Sequence, residues 1–275
     1  MRLALIGVGL IGGSFARAVR AAGKVSRVVG FDSEPEALRR AVELGVIDES
    51  ATSAAQAVVD AALVMIATPV GAIRQILRDI APHLSSAAIV TDVGSTKASV
   101  IEAARDELGA AFARFVPGHP IAGREHSGVD HSDAELFRNR IFITTPVTQT
   151  ESDAAARVEA LWRDLGCRIE RMSPEEHDSV FAAVSHLPHL LAFALVSMIA
   201  AEPDAERKFA ISGAGFRDFT RIAASNPTMW RDICIANSAA ISVQLSRYQN
   251  QLKHLQEAVE SRDAAALERA FTRSA

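Results

Sequence analysis

Three glycines near the start of the chain, Gly7, Gly9 and Gly12, have the spacing of a turn that holds a phosphate group. In such a turn the first glycine makes the bend, the second lets the backbone approach a pyrophosphate, and the third lets a helix pack on a strand. Asp32 follows Gly12 by 20 residues. A carboxylate there accepts a hydrogen bond from a ribose 2′-hydroxyl and repels a 2′-phosphate. The pattern therefore predicts a site for NAD rather than NADP.

The predicted cofactor site extends beyond the three glycines. The backbone N–H groups that open the following helix should face the phosphates. A second junction between a strand and a helix lies at Thr68 and Pro69, directly after the apolar strand 61–67. In a doubly wound sheet, ligands bind outside the carboxyl ends of the strands. We therefore expect the cofactor to contact Gly7, Gly9, Leu10, Ile11, Gly12, Asp32, Thr68 and Pro69.

Two polar clusters follow later strands and could supply catalytic residues at the same edge of the sheet as the cofactor. Ser95 lies in the segment 92–97, where its hydroxyl could serve the site or simply cap a helix predicted over 96–108. His119 stands between a glycine and a proline, which favours an exposed turn. Histidine can accept a proton near neutral pH, as the oxidation of an alcohol requires. A histidine in a surface loop would have the same spacing.

A third cluster lies in the C-terminal part of the chain. His186 and His189 are three residues apart, but no further ligand accompanies them at a useful spacing, so we expect no metal. Arg217 and Arg221 lie among aromatic and aliphatic residues, which is not typical of a solvated face. Because a guanidinium group pairs in a bidentate way with carboxylates, these arginines are candidates for binding an acidic group.

The elements that must position these residues change character near residue 172. Up to that point strands and helices alternate, and the strands are continuously apolar, as in a parallel sheet covered on both faces. This predicts an α/β, Rossmann-type doubly wound sheet over residues 1–172, which we expect the strands 141–144 and 168–172 to extend. Residues 173–275 contain only helical patterns and form the second predicted domain.

In the helical part, Ser173 is expected to cap a long helix that Pro188 kinks or breaks near Leu187. The apolar run 190–196 favours a buried core helix. A second helical stretch over 227–261 carries apolar residues at alternating spacings of four and three. This heptad stripe is typical of a bundle core or a dimer seam, and we favour the seam. Its members are Ile241, Leu245, Tyr248, Leu252, Leu255 and Val259.

Composition narrows the function classes. The 275-residue chain has a net charge of −4 and lacks the basic surplus of a nucleic-acid-binding protein. No uninterrupted apolar stretch is as long as a membrane span, so we expect no membrane partner. The two cysteines, Cys167 and Cys234, show no metal or pairing pattern. With a motif that begins at residue 7 and leaves no room for a leader, these features predict a cytoplasmic protein.

Taken together, six motifs in order resemble the prephenate/arogenate (cyclohexadienyl) dehydrogenase family of tyrosine biosynthesis. The resemblance implies a Rossmann-type domain followed by an all-helical dimerisation domain, and hence a homodimer. It also implies that NAD⁺ accepts a hydride from a cyclohexadienol, while the ring carboxylate leaves as CO₂ and the ring becomes aromatic. The motifs are at residues 9–14, 92–97, 118–123, 185–189, 215–221 and 229–233.

The resemblance also implies roles for individual residues. His119 would accept the proton of the ring hydroxyl, and Ser95 would hydrogen-bond that hydroxyl and the imidazole. Arg221 would bind the ring carboxylate, while Ser185 and His189 would orient the substrate and the catalytic histidine. The remaining substrate positions implied by the family are Trp230, Ala214, Glu125 and Asp218. Ala214 departs from the family, which commonly has a glycine there.

Several alternatives stay open on the sequence. The substrate could be prephenate or arogenate, or the enzyme could accept both, because no single residue distinguishes a keto from an amino side chain. An analogue with an aminated ring, 4-amino-4-deoxyprephenate, is a third option. A 3-hydroxyacid dehydrogenase or imine reductase would need a helix-borne catalytic lysine, and neither Lys208 nor Lys253 lies in such a motif. A non-catalytic NAD-binding redox sensor would need the glycine turn and Asp32, but not His119 and Arg221.

Overall fold

The computed structural model describes residues 1–124 and 126–273. Its main sheet has six parallel strands in the order β3-β2-β1-β4-β5-β6. The chain starts at the centre, moves to one edge and returns to the other side of β1, so the β1/β4 junction is the point where a doubly wound sheet binds ligands. The strands are Arg2–Ile6 (β1), Arg27–Phe31 (β2), Glu49–Ser50 (β3), Leu63–Ile66 (β4), Ile89–Asp92 (β5) and Phe115–Val116 (β6).

Helices connect these strands and bury both faces of the sheet, which is why the central strands are apolar at nearly every position. Strands β1 and β4 are almost wholly buried. The predicted α/β doubly wound sheet is therefore confirmed. The connecting helices are Leu10–Ala21 (α1), Pro35–Glu43 (α2), Ala54–Ala57 (α3), Val70–Ile80 (α4) and Ala98–Glu107 (α5), and Ser152–Asp164 (α6) follows later in the chain.

A second sheet of three strands corrects two expectations. Gly118–Pro120 (β7) pairs antiparallel with Ile141–Thr144 (β8), which pairs parallel with Arg168–Arg171 (β9). The later strands thus do not extend the main sheet, and His119 lies half-buried in a strand rather than in an exposed turn. Pro117 explains the separation, because it stands between β6 and β7 and has no backbone N–H to continue a ladder.

The two sheets share a core. The ring of Phe142 on β8 stacks on Trp162 of α6, with centroids 4.0 Å apart and planes inclined by 13°. Phe15 of α1 approaches the same indole at 5.1 Å. All three side chains are fully buried. This aromatic cluster fixes α1, and so the glycine turn before it, against the rest of the fold.

The chain divides into two compact units. The first unit comprises Met1–Asp178 and Ser225–Ala236, and the second comprises Ser179–Ala224 and the chain from Asn237 onward. The first unit therefore includes a short stretch from the predicted helical domain. That stretch contains the helix Pro227–Ala236 (α11), which packs on α4.

Pro188 does not break its helix. Pro174–Phe181 (α7) continues through a five-residue π-helical turn, Ala182–His186, into Leu187–Ala200 (α8). A π turn widens the helix locally and relieves the backbone just before a proline. The predicted cap is present, since the Ser173 hydroxyl accepts the Glu176 N–H at 3.1 Å.

One further expectation about this helix is wrong. Only Ala192 of α8 is buried within the chain, so α8 is not a buried core helix. By length and composition alone, Pro174–Ala200 is also long and apolar enough to cross a membrane, a property that the core helix of a soluble protein can share. The π turn accounts for the added length, because it joins α7 to α8. The result is a long apolar helix whose surface the chain itself leaves largely uncovered.

The predicted helical stretch over 227–261 is two helices. It is interrupted at Asn237, after which Ser238–Glu260 (α12) carries the heptad stripe. Ile241 is buried, but Leu252 and Val259 are 46% and 61% exposed. Within one chain the stripe is therefore fully buried only at its start, while Leu245, Tyr248 and Leu255 are half-buried. The second unit also contains Ala205–Ala210 (α9), Ala214–Thr220 (α10), a 3₁₀ turn at Arg221–Ala224 and Ala264–Thr272 (α13).

Candidate active site

The glycines of the first turn differ in what requires them. Gly7 has a φ of +95°, and a Cβ added there would lie 2.5 Å from the carbonyl oxygen of Ala67. A Cβ on Gly12 would lie 2.1 Å from the carbonyl oxygen of Gly7. At Gly9, by contrast, a Cβ would meet nothing within 4 Å in the described part of the chain. Gly7 and Gly12 thus serve the packing of the turn, whereas Gly9 borders the open space that a phosphate needs.

Asp32 is held beside this turn. It follows the last residue of β2, and its carboxylate accepts the backbone N–H groups of Val8 at 2.9 Å and Glu34 at 3.0 Å. A carboxylate offers about four lone-pair sites, so these two bonds fix the group and leave it able to accept from a ribose hydroxyl. The structure therefore brings Asp32 and the glycine turn together, as the sequence predicts.

Thr68 and Pro69 lie between β4 and α4, next to the same turn. The Thr68 hydroxyl is buried and makes no hydrogen bond with any described residue. A buried hydroxyl is costly unless a ligand or water satisfies it. Leu10 and Ile11 open α1, where the first N–H groups of a helix lack acceptors within the helix. These donors, the open space at Gly9 and the carboxylate fit the phosphates and ribose of a dinucleotide.

A buried ion pair supports the segment that carries His119. Lys97 and Asp92 are both fully buried, and the ammonium of Lys97 donates to the Asp92 carboxylate. Lys97 Nζ also donates to the carbonyl oxygen of Gly118 at 2.6 Å. Asp92 accepts the N–H groups of Gly94 at 2.8 Å and Gly118 at 3.1 Å. Because both backbone groups of Gly118 are tied to this pair, β7 is fixed against the end of β5.

Asp178, rather than Ser95, caps the helix that follows. The Asp178 carboxylate accepts the backbone N–H of Lys97 at 2.8 Å and that of Ala98 at 2.9 Å, at the start of α5. Ser95 precedes the cap, is half-buried, and makes no hydrogen bond with another residue of the described ranges. The predicted contact between the Ser95 hydroxyl and the His119 ring is therefore not made in this structure.

His119 instead forms the end of a hydrogen-bonded series. Its Nδ1 lies 2.9 Å from Nε2 of His177, whose Nδ1 lies 2.8 Å from Oδ1 of Asp178. His177 is fully buried. Burial, together with the positive charge of Lys97, lowers the pKa of His177, although its bond to Asp178 acts the other way. The arrangement places a neutral imidazole between His119 and a carboxylate.

Burial tends to raise the pKa of the Asp178 carboxyl, but the hydrogen bonds from His177 and from two backbone N–H groups lower it overall. The carboxylate is therefore ionised at neutral pH. Sequence reasoning missed both His177 and Asp178 as members of this group. The available signal was a His-Asp pair in the first turns of a helix, which is equally typical of a solvated face.

In the second unit, His189 has a defined hydrogen-bonding pattern. Its Nδ1 lies 2.9 Å from the carbonyl oxygen of Ser185. A carbonyl only accepts, so Nδ1 carries the proton and Nε2 carries the lone pair. Burial and the positive charge of Arg221 lower the pKa of His189, although the bond to Ser185 raises it. His189 thus interacts with both predicted partners, through a hydrogen bond with Ser185 and through the charge of Arg221. Because its pKa is lowered, His189 is neutral at neutral pH.

The remaining predicted positions divide between the units. Ala214 opens α10 and, like Asp218, is exposed in the second unit. Trp230 belongs to α11 in the first unit and is 7% exposed. Glu125 lies outside the described residues.

A doubly wound sheet with a dinucleotide turn, an acid after β2 and a histidine beside the carboxyl edge defines the class of dinucleotide-dependent dehydrogenases. The model of the prephenate dehydrogenase nucleotide-binding domain matches residues 15–171, and that of the prephenate dehydrogenase dimerization domain matches residues 173–273. The chain belongs to the prephenate dehydrogenase family, whose members are NAD-dependent oxidoreductases.

Individual relatives agree with this assignment. Prephenate dehydrogenase of Bacillus subtilis is 38% identical, with 97% of this chain and 72% of the relative covered. Cyclohexadienyl dehydrogenase of Zymomonas mobilis is also 38% identical, with 99% and 93% covered. The crystal structure of Aquifex aeolicus prephenate dehydrogenase in complex with hydroxyphenyl propionate and NAD⁺ is 39% identical, has a TM-score of 0.92, and is matched over 100% of this chain and 96% of that one.

Proposed function

We propose that this protein oxidises prephenate to 4-hydroxyphenylpyruvate and CO₂, with hydride transfer to NAD⁺, in tyrosine biosynthesis. The observation that carries the proposal is the fixed position of His119. Both backbone groups of the preceding residue are bound by the buried pair Asp92–Lys97, and the imidazole is bound by His177. In a chain of this family, a histidine held in this way suits a general base that removes one proton from a positioned substrate.

In this proposal the first unit holds the cofactor and removes the proton. The residues that would hold the dinucleotide are those of the turn at Gly7–Gly12, together with Asp32, Thr68 and Pro69. When bound, NAD⁺ supplies the hydride acceptor. His119 accepts the proton of the ring hydroxyl, and the half-buried Ser95 donates a hydrogen bond to that hydroxyl oxygen. Loss of the ring carboxylate as CO₂ leaves an aromatic ring, which supplies much of the driving force.

The second unit supplies groups for the substrate's charges. Arg221 binds the ring carboxylate through a charge-assisted pair, and its positive charge already acts on His189. Neutral His189 presents Nε2 as a hydrogen-bond acceptor, and Ser185 offers a hydroxyl on the same helical turn. We assign supporting roles at the substrate to Trp230, Ala214, Asp218 and Glu125 by their match to the family's motifs.

We also propose that the protein is a homodimer through its helical domain. Apolar side chains of the second unit are exposed in the single chain, among them Met198 at 59%, Val243 at 51% and Val259 at 61%. A second copy that covers the heptad stripe would bury this surface. Light scattering should give twice the mass of the chain, and a Leu252→Glu, Val259→Glu variant should give a smaller particle. Both cysteines are free thiols, which suits the cytoplasmic location that we propose.

The test of the reaction is the formation of NADH by the purified protein. Prephenate and arogenate are offered separately with NAD⁺, and NADP⁺ serves as the cofactor control. Turnover of prephenate alone supports the proposal. Turnover of both substrates makes the protein a cyclohexadienyl dehydrogenase, the activity that names its Zymomonas mobilis relative. No turnover of either, by protein shown to bind NAD⁺, would overturn the proposal in favour of a redox sensor.

A further inference from the structure

His177 connects a carboxylate to the candidate base, although no motif in the sequence singles it out. It is 58 residues from His119 in the chain, yet the two rings meet edge to face with centroids 5.1 Å apart. One ring nitrogen of His177 faces Nδ1 of His119 and the other faces Asp178, so that three titratable groups form a series. The question is which nitrogen carries the proton at each link.

The first link is settled by Asp178. Its two carboxylate oxygens accept from the N–H groups of Lys97 and Ala98. A backbone N–H can only donate, so this carboxylate is held as an acceptor, and an ionised carboxylate has no proton to give. Nδ1 of His177 must therefore be the donor in its 2.8 Å bond to Asp178.

The second link follows from the charge of His177. Besides Asp178, charged groups that act on its ring include Lys97 and Asp92, which form an ion pair with each other, and His119 is a further titratable neighbour. Burial of the ring favours the neutral imidazole, which has one N–H and one lone pair. With the proton on Nδ1, the lone pair is on Nε2. His119 must then donate from Nδ1 across the 2.9 Å separation.

We propose that His177 is a positioning residue that fixes His119 in the tautomer with its proton on Nδ1 and its lone pair on Nε2. A base needs that lone pair, so His177 prepares His119 to accept a proton at Nε2. When the proton arrives, His119 becomes an imidazolium ion and its bond to His177 becomes charge-assisted, which strengthens it. The negative charge of Asp178 at the end of the series balances the new positive charge. The role in catalysis rests on the proposed function, whereas the tautomer does not.

The tautomer can be measured without turnover. In protein labelled with ¹⁵N-histidine at neutral pH, long-range ¹H–¹⁵N correlation spectra distinguish protonated from unprotonated ring nitrogens. Spectra of His119→Asn and His177→Gln assign the two rings. We expect a protonated Nδ1 and an unprotonated Nε2 at both His119 and His177. A protonated Nε2 with an unprotonated Nδ1 at His119 would overturn the proposal, whatever the protein catalyses.

The kinetic role is tested by two variants at His177. His177→Leu removes the acceptor and should lower kcat by about a hundredfold, at the lower end of general-base contributions, with little change in the KM for prephenate or NAD⁺. It should also move the acidic limb of the kcat–pH profile. His177→Gln restores an oxygen that can accept from His119 and should recover at least about tenfold of the loss. His83→Gln, at an exposed site, is the matched control.

Circular dichroism and NAD⁺ binding establish that each variant is folded. A folded His177→Leu protein with unchanged kcat and pH profile would refute the positioning role. If the wild-type protein does not turn over prephenate or arogenate, the proposed function fails. The labelled-histidine spectra then still decide whether His177 sets the tautomer of His119.

Discussion

Asp178 accepts a hydrogen bond from the backbone N–H of Lys97 at 2.8 Å, although 81 residues separate them in the chain. The same carboxylate accepts from Ala98 and so caps α5, where negative charge interacts favourably with the helix dipole. It also binds His177. One side chain therefore connects the start of a helix in the nucleotide-binding half to the residue that contacts the candidate base.

Removal of the Lys97 charge should destabilise the fold strongly. In Lys97→Met, Asp92 stays buried with only the N–H groups of Gly94 and Gly118 as partners, and breaking a buried pair in this way costs about 3–5 kcal/mol. Urea denaturation measures the free energy of unfolding. The matched control is Lys24→Met, because Lys24 pairs with Asp164 at the surface, with side chains 41% and 48% exposed. That change should cost less than about 1 kcal/mol. Equal losses of stability in the two variants would show that the buried pair contributes no more than the surface pair.

Stability should fall as the pH is lowered from 7 to 5. The pKa values of His177 and His189 are lowered in the folded protein, so the unfolded chain binds protons first as the pH passes below about 6.5. The folded state then binds fewer protons than the unfolded state, and stability decreases by at most about 1.4 kcal/mol per pH unit for each histidine. Asp178, whose pKa is also lowered, adds a further loss at more acidic pH.

Denaturation at a series of pH values measures this slope. His177→Gln removes one of the two histidine contributions, so the slope between pH 7 and 5 should decrease without vanishing. The His177→Gln, His189→Gln double variant should be flatter still. An unchanged slope in both variants would show that these rings are not responsible.

Alanine substitutions at two glycines of the first turn should have different effects, one on the stability of the fold and the other on cofactor binding. Gly12→Ala places a Cβ against the carbonyl oxygen of Gly7, so the turn must distort and stability should fall. Gly9→Ala meets open space and should change stability by less than about 0.5 kcal/mol, yet weaken NAD⁺ binding because the added methyl occupies the phosphate region. Thermal melting and calorimetric titration with NAD⁺ report the two effects. Tight NAD⁺ binding by Gly9→Ala would contradict the placement of the phosphates beside Gly9.

Asp32 should set the preference for NAD⁺ over NADP⁺. In Asp32→Asn the negative charge that repels a 2′-phosphate is lost, while a hydrogen-bonding oxygen remains. The ratio of kcat/KM for NAD⁺ to that for NADP⁺ should fall by at least about tenfold, equivalent to ~1.4 kcal/mol. Glu34→Gln removes a neighbouring exposed carboxylate and should leave the ratio unchanged. A preserved ratio in Asp32→Asn would place the discrimination elsewhere.

The sequence was sufficient where local pattern and environment agree. Parallel strands covered on both faces must be apolar throughout, so β1 and β4 could be placed from their residues alone. The junction at Gly7–Gly12 and the acid at Asp32 could be paired because the motif has a fixed spacing. The family resemblance rested on six such short motifs and needed no long-range contact.

What escaped prediction depends on contacts between distant residues. A capping serine at residue 95 is a local guess, whereas the actual cap comes from Asp178. The role of His177 is invisible until β7 brings His119 beside α7. The break at Asn237 and the π turn before Pro188 are likewise choices among backbone conformations that propensity alone hardly distinguishes. In each case tertiary packing decides between local structures of similar free energy.

The return of Ser225–Ala236 to the first unit has a consequence for synthesis. Domains generally fold in order as the ribosome produces them, but here α11 is translated only after the stretch Ser179–Ala224 of the second unit. The side of α4 that α11 covers therefore stays exposed to solvent while that stretch is being synthesised. The nascent nucleotide-binding half is thus left unfinished for part of translation, and a message truncated before residue 225 would yield a polypeptide that can never complete it.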